Sequence, residues 1–351
     1  MRPQPFRIEP TFVPRIWGAR SLAPLYPEKS NLTEPIGEAW LTGVDCKVAS
    51  GPFAGRTLGE AWREMPAEWR GTRFTEPGDF PILVKFIFPT EKLSIQVHPD
   101  DAYAAAHEQA AGGRGKTEMW HALAAAPGAQ VFVGLKSGVD QKKFLDALNE
   151  NRIEELFLTY RVKSGDTFFL PAGTPHTIGP GMILCEVQEY SDLTYRVYDY
   201  GRVDAQGKSR ELHISKALEV MDFGPSVGRL IRWEAPMGEI GNGFVYYLTA
   251  CPYFAVEKWE FDGWANEITD PQRFELLTVL KGAGEIRWDG PEVEFSAAQT
   301  WLLPASLGRY MLCPTGGAEV LRIYLPNIVA FERMIADKGA PEDLRRRFIF
   351  Q

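Results

Sequence analysis

The same short pattern occurs twice in this chain. Residues 167–172 read T-F-F-L-P-A, and residues 300–305 read T-W-L-L-P-A. Each copy is a short apolar strand that runs into a Pro-Ala turn. Aligning the copies places His176 of the first against Arg309 of the second. The repeat predicts two related β units, of which the second has lost a histidine. We therefore expect the first unit to carry the chemistry, and the second to be structural or to shape one wall of the site.

Short apolar runs with the length of strands fill most of the chain. Six lie before residue 190, at 81–89, 93–99, 117–123, 129–135, 166–172 and 182–189, and similar runs resume near residue 244. The chain has 33 glycines and 26 prolines among 351 residues, about one residue in six. This supply of turn formers favours many short strands over a helix bundle. The expected fold is mainly β with helical additions, in two units at residues 1–230 and 240–327.

Helical segments are expected at four places. Three are insertions into the first unit, at 100–111, 140–157 and 211–223, and Asp100 is suited to be the N-cap of the first of them. The second insertion has apolar residues at helical spacing. A last amphipathic segment, residues 328–351, is expected to form a C-terminal helix after the second unit.

Charge and cysteine content narrow the class of protein. A net charge of -8 argues against a general nucleic-acid binder, which would show a basic stripe. The four cysteines are far apart and form no C-x-x-C pair, which is typical of a reducing compartment. The first residues lack the apolar core of a signal peptide, and no apolar run approaches the roughly 18 residues of a membrane helix. We expect a cytoplasmic protein with no membrane partner and no nucleic-acid partner.

The stretch SIQVHPDD, residues 94–101, has an unusual polar face. Successive side chains of a strand alternate between faces, so Ser94, Gln96 and His98 share one face and Ile95 and Val97 the other. A hydroxyl, an amide and an imidazole are a poor lining for an apolar core. They suit a cavity that holds something polar.

The sequence GDTFFLPAGTPHTIG, residues 165–179, resembles the second signature of a cupin, a small jelly-roll β barrel. In such a barrel, inward-facing residues of neighbouring strands can converge on one metal ion, and the candidates are Gln96, His98, Glu118 and His176. Two imidazoles, a carboxylate and an amide oxygen suit Zn²⁺ with a position left open, and Fe(II) and Mn(II) remain alternatives. His121, three residues after Glu118 on the same expected strand, should face away from this set.

Four motifs, in order, resemble the type I mannose-6-phosphate isomerases (phosphomannose isomerases) of the cupin superfamily. The motifs are SIQVHPDD, GKTEMWHAL, FLPAGTPHTIGPG and EVQEYSDLTYRVYDYGR, with weaker matches in RIWG, IGEAWLTG and GLKSGV. The resemblance spans roughly residues 14–211. It implies one zinc ion per chain, held by Gln96, His98, Glu118 and His176, and interconversion of mannose 6-phosphate and fructose 6-phosphate. The family's other active-site positions fall on Ser94, Lys116, Glu186, Arg196 and Arg202, and the last of these is associated with the phosphate of the sugar-phosphate partner.

These residue types fit that reaction. Moving a proton between C1 and C2 of an open-chain sugar phosphate passes through an enediol with negative charge on oxygen. Lys116 and Arg196 could stabilise this charge beside a Lewis-acidic metal, and Arg202 could bind the phosphate. Glu186 is the preferred general base, with a water on the metal or Lys116 as alternatives.

Two other classes of function are compatible with such a barrel. A relative could keep the metal and the pocket and act as a non-catalytic sugar-phosphate sensor or regulator. A cupin that holds Fe(II) could be a dioxygenase, although Gln96 would crowd its open coordination site. The oligomeric state is left open by the sequence.

Overall fold

The structure is a computed structural model, and it describes residues 2–74, 78–203, 206–224, 228–233 and 235–351. Strands dominate this part of the chain, as the sequence predicts. They are β1 (Phe6–Ile8), β2 (Thr11–Ala19), β3 (Ile36–Trp40), β4 (Ile82–Ile87), β5 (Ile95–Val97), β6 (Glu118–Ala125), β7 (Gln130–Leu135), β8 (Phe157–Arg161), β9 (Thr167–Leu170), β10 (His176–Ile178), β11 (Met182–Glu189), β12 (Tyr195–Tyr198), β13 (Arg229–Ile231), β14 (Gly238–Ile240), β15 (Gly243–Ala250), β16 (Ala255–Phe261), β17 (Ala265–Ile268), β18 (Glu275–Lys281), β19 (Ala283–Trp288), β20 (Val293–Ser296), β21 (Thr300–Leu303), β22 (Arg309–Pro314) and β23 (Ala318–Tyr324).

The helices are short and lie between or after the strands. They are α1 (Leu58–Glu64), α2 (Ala67–Arg70), α3 (Asp101–His107), α4 (Gln141–Asn149), α5 (Ile214–Val220), α6 (Ile328–Asp337) and α7 (Glu342–Arg345). The Asp100 carboxylate accepts a hydrogen bond of 2.8 Å from the Tyr103 amide, which confirms Asp100 as the N-cap of α3. Asp140 caps α4 in the same way.

Three of the predicted helices are each divided. The segment 100–111 forms α3 and then a separate 3₁₀ turn at Gln109–Ala111. The segment 140–157 forms α4 and then a separate 3₁₀ turn at Ile153–Leu156, because Asn151 between them has a left-handed backbone with φ of 54°. The prediction that the C-terminal segment forms a single helix is also wrong. It divides into α6 and α7 at Gly339, whose φ is 86°, and Pro341 precedes the second piece.

The strands form four sheets, with antiparallel pairing throughout the strand pairs described. The first barrel consists of a large sheet, in the order β13-β9-β6-β11-β4-β3-β2, and a smaller sheet, β12-β5-β10-β7-β8. The second barrel consists of the sheet β1-β21-β18-β23-β16-β15-β14 and the smaller sheet β17-β22-β19-β20. The two copies of the sequence repeat occupy corresponding places, β9–β10 and β21–β22.

The chain ends tie the two barrels together. β1 pairs with β21 of the second barrel, with Phe6 opposite Leu302. Near the other end, Phe350 stacks on Phe169 of β9 with ring centroids 3.8 Å apart, and its amide donates to the Ala250 carbonyl. The division at residues 1–230, 240–327 and 328–351 stays a prediction. Both β1, which pairs with β21, and Ile349, which bridges to Ala250, pair across its boundaries.

Three apolar clusters fill the molecule. The largest includes residues of both large sheets, such as Phe86 and Val187 from the first barrel and Val256 and Val320 from the second. A second cluster lies inside the first barrel around Trp120. The third packs the outer face of the small sheet against α4 and α5. Among the described residues, no helix is long and apolar enough to cross a membrane.

Candidate metal centre and adjoining cavity

The polar face predicted for residues 94–98 points into the first barrel. Ile95 and Val97 are fully buried in the apolar cluster beneath α4 and α5. Ser94 and His98 are also buried, at 3% and 2% exposure, but on the opposite, inward side. The strand alternation inferred from the sequence is therefore confirmed.

Three of the predicted metal ligands meet inside the first barrel. The side-chain ligand atoms of His98, Glu118 and His176 all lie within 4.8 Å of one another. His176 Nε2 is 3.2 Å from Glu118 Oε1, and His98 Nε2 is 3.7 Å from Glu118 Oε2. The Gln96 amide lies 3.2 Å from His176 Nε2, so the fourth predicted ligand borders the same point.

Strand pairing brings these residues together from both sheets. His176 on β10 is directly opposite Gln96 on β5 in the small sheet. Glu118 begins β6 in the large sheet, opposite Leu170 of β9. Inward-facing side chains of the two sheets therefore converge across the barrel interior.

Backbone carbonyls orient both imidazoles. His98 Nδ1 is 2.8 Å from the Leu193 carbonyl oxygen, and His176 Nδ1 is 2.8 Å from the Thr174 carbonyl oxygen. A carbonyl oxygen can only accept, so each Nδ1 carries the proton and donates it. Each Nε2 is left with a lone pair, which is the tautomer that binds a metal. The His176 lone pair accepts from the Gln96 amide nitrogen over 3.2 Å, and His98 Nε2 has no hydrogen-bond partner among the described residues.

Burial controls the ionisation of this cluster. It lowers the pKa of His98 well below its ordinary value and that of His176 to about 4, so both imidazoles are neutral near pH 7. Burial also raises the pKa of Glu118, although the nearby charge of Lys116 opposes this.

The cluster has the chemistry of a metal site. Within the described part of the chain, His98 Nε2 and both carboxylate oxygens of Glu118 are buried without a hydrogen-bond partner. Leaving a buried polar group unsatisfied costs about 1–3 kcal/mol. A divalent cation would satisfy all three atoms, and two imidazoles with a carboxylate are a donor set that zinc prefers. The residues present therefore fit the zinc ion that the sequence predicts.

A cavity of about 380 Å³ adjoins the cluster and is rich in charged groups. The charged residues that line it are Arg15, Glu38, Lys85, Lys116, Glu186, Asp192, Arg196 and Arg210. Ser94 and Gln96 also line it, as the sequence predicts for a polar cavity. An excess of cations over carboxylates makes the cavity suited to an anion, although the whole chain is acidic.

Lys85 and Glu186 form a buried pair on the inner face of the large sheet. They are directly opposite each other on β4 and β11, with Lys85 Nζ 3.4 Å from Glu186 Oε1 and 3.6 Å from Asp192 Oδ1. Burial acts to lower the pKa of Lys85, but the carboxylates of Glu186, Glu38 and Asp192 outweigh it and raise that pKa. Lys85 is therefore a permanent cation in the cavity.

Glu186 is held by a second donor. Trp120 Nε1 donates to its Oε2 over 3.0 Å. Burial raises the pKa of Glu186, and the nearby Glu118 adds to this effect. Lys116, on the other side of the cluster, has its Nζ 3.4 Å from Glu118 Oε2.

Of the predicted arginines, Arg196 lines the cavity and Arg202 does not. Arg202 is held outside it by the Asp199 carboxylate, whose Oδ1 is 2.6 Å from Arg202 Nη2, and by the Lys92 carbonyl. Arg210, which the sequence did not single out, shares Asp199 with it through a 2.8 Å contact from Nε to Oδ2, and Arg210 does line the cavity. The phosphate-binding role of Arg202 stays a prediction, while Arg210 is the arginine of this pair that lines the cavity.

Some residues that line the cavity were not among the site residues predicted from the sequence. Lys85 interrupts the apolar run PILVKFIF, and a lysine inside a buried strand is a signal of function that can be seen without a structure. Arg15 and Asp192 lie in the motifs RIWG and EVQEYSDLTYRVYDYGR but were not predicted as site residues, and Arg210 and His213 lie outside these motifs. Only the folded chain shows that all four face one cavity.

Three histidines lie outside the metal cluster. His107 is exposed and stacks on Tyr103 within α3. His121 faces away from Glu118 and is buried against Thr167, whose hydroxyl is 2.9 Å from His121 Nδ1. His213 is partly exposed at the cavity edge, where the Arg196 amide donates to its Nδ1.

His121 should make the protein less stable in acid. Burial, and then the charge of Lys258, lower its pKa to about 3 in the folded state, against about 6.5 when unfolded. The unfolded chain therefore binds one more proton between these values, so the contribution is intact above pH 6.5 and is lost as the pH falls below it. Between pH 7 and 5 the loss is about 2 kcal/mol. We expect the urea midpoint of His121→Asn to fall less over this range than that of the parent.

His107→Ala is the control for that comparison, because it removes an exposed imidazole from the same barrel. Its urea midpoint should depend on pH as the parent's does. Equal pH dependence in the parent and His121→Asn would contradict the assignment.

A buried His-Glu-His cluster that could hold a metal ion, inside a jelly-roll barrel and beside a cavity rich in cations, defines the chain as a cupin. Comparison with known proteins identifies the family. Residues 6–132 match the family model "Phosphomannose isomerase type I, catalytic domain", and residues 245–325 match "Mannose-6-phosphate isomerase, cupin domain". The chain belongs to the type I phosphomannose isomerase (mannose-6-phosphate isomerase) family.

Individual members of this family are similar to the chain over most of its length. The chain is 34% identical to mannose-6-phosphate isomerase ManA of Bacillus subtilis over 333 residues, which cover 93% of this chain and 100% of that protein. It is 32% identical to the mannose-6-phosphate isomerase of Streptococcus mutans, over 81% of this chain and 87% of that one. The crystal structure of a Bacillus subtilis mannose 6-phosphate isomerase superposes with a TM-score of 0.81 at 30% identity, covering 91% of this chain and 99% of that one.

Proposed function

We propose that the chain interconverts mannose 6-phosphate and fructose 6-phosphate with one zinc ion held by Gln96, His98, Glu118 and His176. The observation that carries this proposal is the position of the buried His-Glu-His cluster at one side of a cationic cavity. An open-chain sugar phosphate has a carbonyl end and a phosphate end. A cavity with a metal site and an anion site can bind both ends at once.

The arginines support binding of the phosphate. Arg196 Nε is buried without a hydrogen-bond partner in the described part of the chain, while its Nη1 is held by the Glu211 carbonyl at 2.9 Å. Burial, and then the charge of Arg210, lower the pKa of the Arg196 guanidinium. Two guanidiniums that repel each other in this way would gain from an anion between them. Arg202 acts through Asp199 as a positioning residue for Arg210.

The sugar end would lie toward the metal cluster. Zinc supplies a Lewis acid that polarises the sugar oxygens and lowers the cost of charge on them. Lys116, beside Glu118, and Lys85, beside Glu186, place two ammonium groups at this end of the cavity. Both stabilise the negative oxygen of an enediol. Ser94, buried at the cavity wall, is positioned to hydrogen-bond a sugar hydroxyl.

Glu186 is the proposed general base. Its Oε2 is held by Trp120, and its raised pKa makes its carboxylate a better proton acceptor than an ordinary glutamate. It would take the proton from one of the two carbons, C1 or C2, and return it to the other. The cation of Lys85 at 3.4 Å keeps Glu186 ionised before it accepts that proton.

Removal and return of the metal tests the proposal. Formation of fructose 6-phosphate from mannose 6-phosphate should stop after chelation and return when Zn²⁺ is added, since the oxygens then regain their Lewis acid. A coupled assay measures this, with metal content determined on the same samples. Folded, zinc-loaded protein without turnover would contradict the isomerase proposal. Turnover restored by Fe(II) but not by Zn²⁺ would contradict the identity of the metal.

Arg210 should affect binding of the substrate more than the chemical step. For Arg210→Ala we expect KM to rise about 10-fold to 100-fold and kcat to change by less, because a charge-assisted bond to the phosphate is worth about 1.5–3 kcal/mol. Steady-state kinetics measure this split. Arg152→Ala, which removes an exposed arginine of the same barrel, should leave KM unchanged. An unchanged KM in Arg210→Ala would place the phosphate elsewhere.

The cellular setting that we propose is the cytoplasm. All four cysteines are unpaired and buried, as expected for a protein of a reducing compartment.

A further inference from the structure

The second barrel has an interior cavity of its own. It measures about 370 Å³, close to the 380 Å³ of the cavity beside the metal cluster. Strands β15, β16 and β23 form one wall and β17 contributes to the opposite one, while α6 lies across the mouth. The second copy of the sequence repeat contributes no ligand there, because Arg309, which replaces the histidine, is exposed. The second barrel therefore has a cavity similar in size to that of the first barrel, although it lacks the metal-binding histidine.

The interior of this barrel is charged. Arg322, only 12% exposed, lies 3.7 Å from Glu257 and 3.8 Å from Glu267, and it pairs with the fully buried Glu275. Trp259 Nε1 donates to Glu257 over 2.9 Å. Burying this network costs desolvation energy that a purely structural barrel could avoid with apolar residues of similar volume. The interior of the second barrel is therefore polar rather than a packed apolar core.

Three cations near the mouth have incomplete partners. Arg273 lies over the Tyr324 ring at 3.7 Å, and within the described residues its Nε is buried without a hydrogen-bond partner, with the Asp270 carboxylate 3.6 Å away. Arg73 donates to the uncharged Leu325 carbonyl at 3.1 Å. Burial, and then the nearby charge of Arg273, lower the pKa of Arg73.

The third cation comes from α6. Lys338 Nζ donates to the Tyr247 hydroxyl over 2.8 Å, again an uncharged partner. Among the described residues, Arg73 and Lys338 have only the neutral partners given above, and Arg273 has one carboxylate at 3.6 Å, so the three cations keep donors for one anionic group among them. Glu267, partly buried on the opposite wall, can accept hydrogen bonds from the hydroxyl groups of a ligand.

We propose that the cavity of the second barrel binds a small hydroxylated anion, either a phosphorylated polyol or a hydroxy acid. Arg73, Arg273 and Lys338 bind the anionic group, and the Tyr247 and Tyr324 rings flank the carbon chain. This site is separate from the metal cluster, so it does not depend on the isomerase reaction. Because α6 covers it, occupation would also hold α6 against the barrel.

Titration calorimetry on the zinc-loaded full chain tests this proposal. The probes are fructose 6-phosphate, inorganic phosphate and gluconate. We expect one of the two organic probes to bind at the second barrel, at a site that Arg273→Gln and Lys338→Ala each weaken about tenfold. Arg210→Ala should leave this binding intact while it weakens the site in the first barrel. Lys281→Ala, which removes an exposed lysine of the second barrel, is the matched control and should change nothing.

The probes distinguish the two sources of the anion. Binding of fructose 6-phosphate with competition by phosphate supports a phosphorylated polyol, and binding of gluconate without such competition supports a hydroxy acid. The proposal is overturned if each probe binds at no more than one site per chain and that site responds to Arg210→Ala alone. It is also overturned if neither Arg273→Gln nor Lys338→Ala alters any binding event.

Discussion

His98→Ala should remove zinc binding and lower kcat by at least about 10³-fold. The substitution deletes an Nε2 that is buried, 3.7 Å from Glu118 Oε2 and fixed in the ligating tautomer by the Leu193 carbonyl. Loss of a residue that only orients a metal ligand costs 10-fold to 100-fold in affinity, and loss of the ligand itself should cost more. Metal analysis after dialysis and the coupled isomerase assay measure the two effects on the same preparation.

His107→Ala is the matched control, since it removes an exposed histidine of the same barrel. It should keep one zinc ion per chain and full turnover. Circular dichroism must show that His98→Ala is folded, because a truncation inside the barrel could also lower stability. A folded His98→Ala protein that retains zinc and turns over normally would show that the metal lies elsewhere.

Local patterns, together with the resemblance to a cupin barrel, predict the metal cluster. The period of two along β5 places Gln96 and His98 on one face, and the Pro-Ala-Gly-Thr-Pro turn leads directly into His176. Glu118 stands at the start of a strand whose alternation also separates it from His121. The alternation along each strand needs only a few neighbouring residues, whereas the convergence of the four side chains on one point was inferred from the resemblance to a cupin barrel.

The set of residues that line the cavity could be identified only from the folded chain. Asp192 meets Lys85 from far along the chain, and the Asp199 carboxylate is shared by Arg202 and Arg210. The sequence cannot say which of two arginines on one carboxylate turns inward. Arg202 is predicted to bind the phosphate because it matches a basic position of the resembled family, whereas in the structure Arg210 lines the cavity.

The fold, like the site, has features that local sequence predicts and features that it does not. Strands with apolar runs were predictable, and so was the cap at Asp100, because both depend on local chemistry. The pairing of β1 with β21 joins residues almost 300 positions apart, with Arg7 opposite Trp301, and no local signal specifies it. The breaks at Asn151 and Gly339 were missed because helical periodicity continues across a single left-handed residue.

Glu186→Gln should lower kcat by about 10²-fold to 10⁴-fold while the zinc content stays at one ion per chain. General base catalysis contributes a factor of this size. The amide oxygen of glutamine can still accept from Trp120 Nε1, which now donates to Glu186 over 3.0 Å, so the side chain should keep its position. The amide cannot accept a proton from carbon near neutral pH, which is why the chemical step should fail without loss of the metal.

The pH dependence and isotope exchange make this test specific for a base. Burial raises the pKa of Glu186, so kcat of the parent should fall as the pH drops through that raised pKa, and the residual activity of Glu186→Gln should lack this limb. Proton transfer can be followed by NMR as exchange of substrate hydrogen with D₂O, which should slow in parallel with turnover. Glu155→Gln, the same exchange of groups on an exposed residue of the first barrel, should behave as the parent does. If Glu186→Gln exchanges and turns over at the parental rate while Lys116→Met does neither, the base is Lys116.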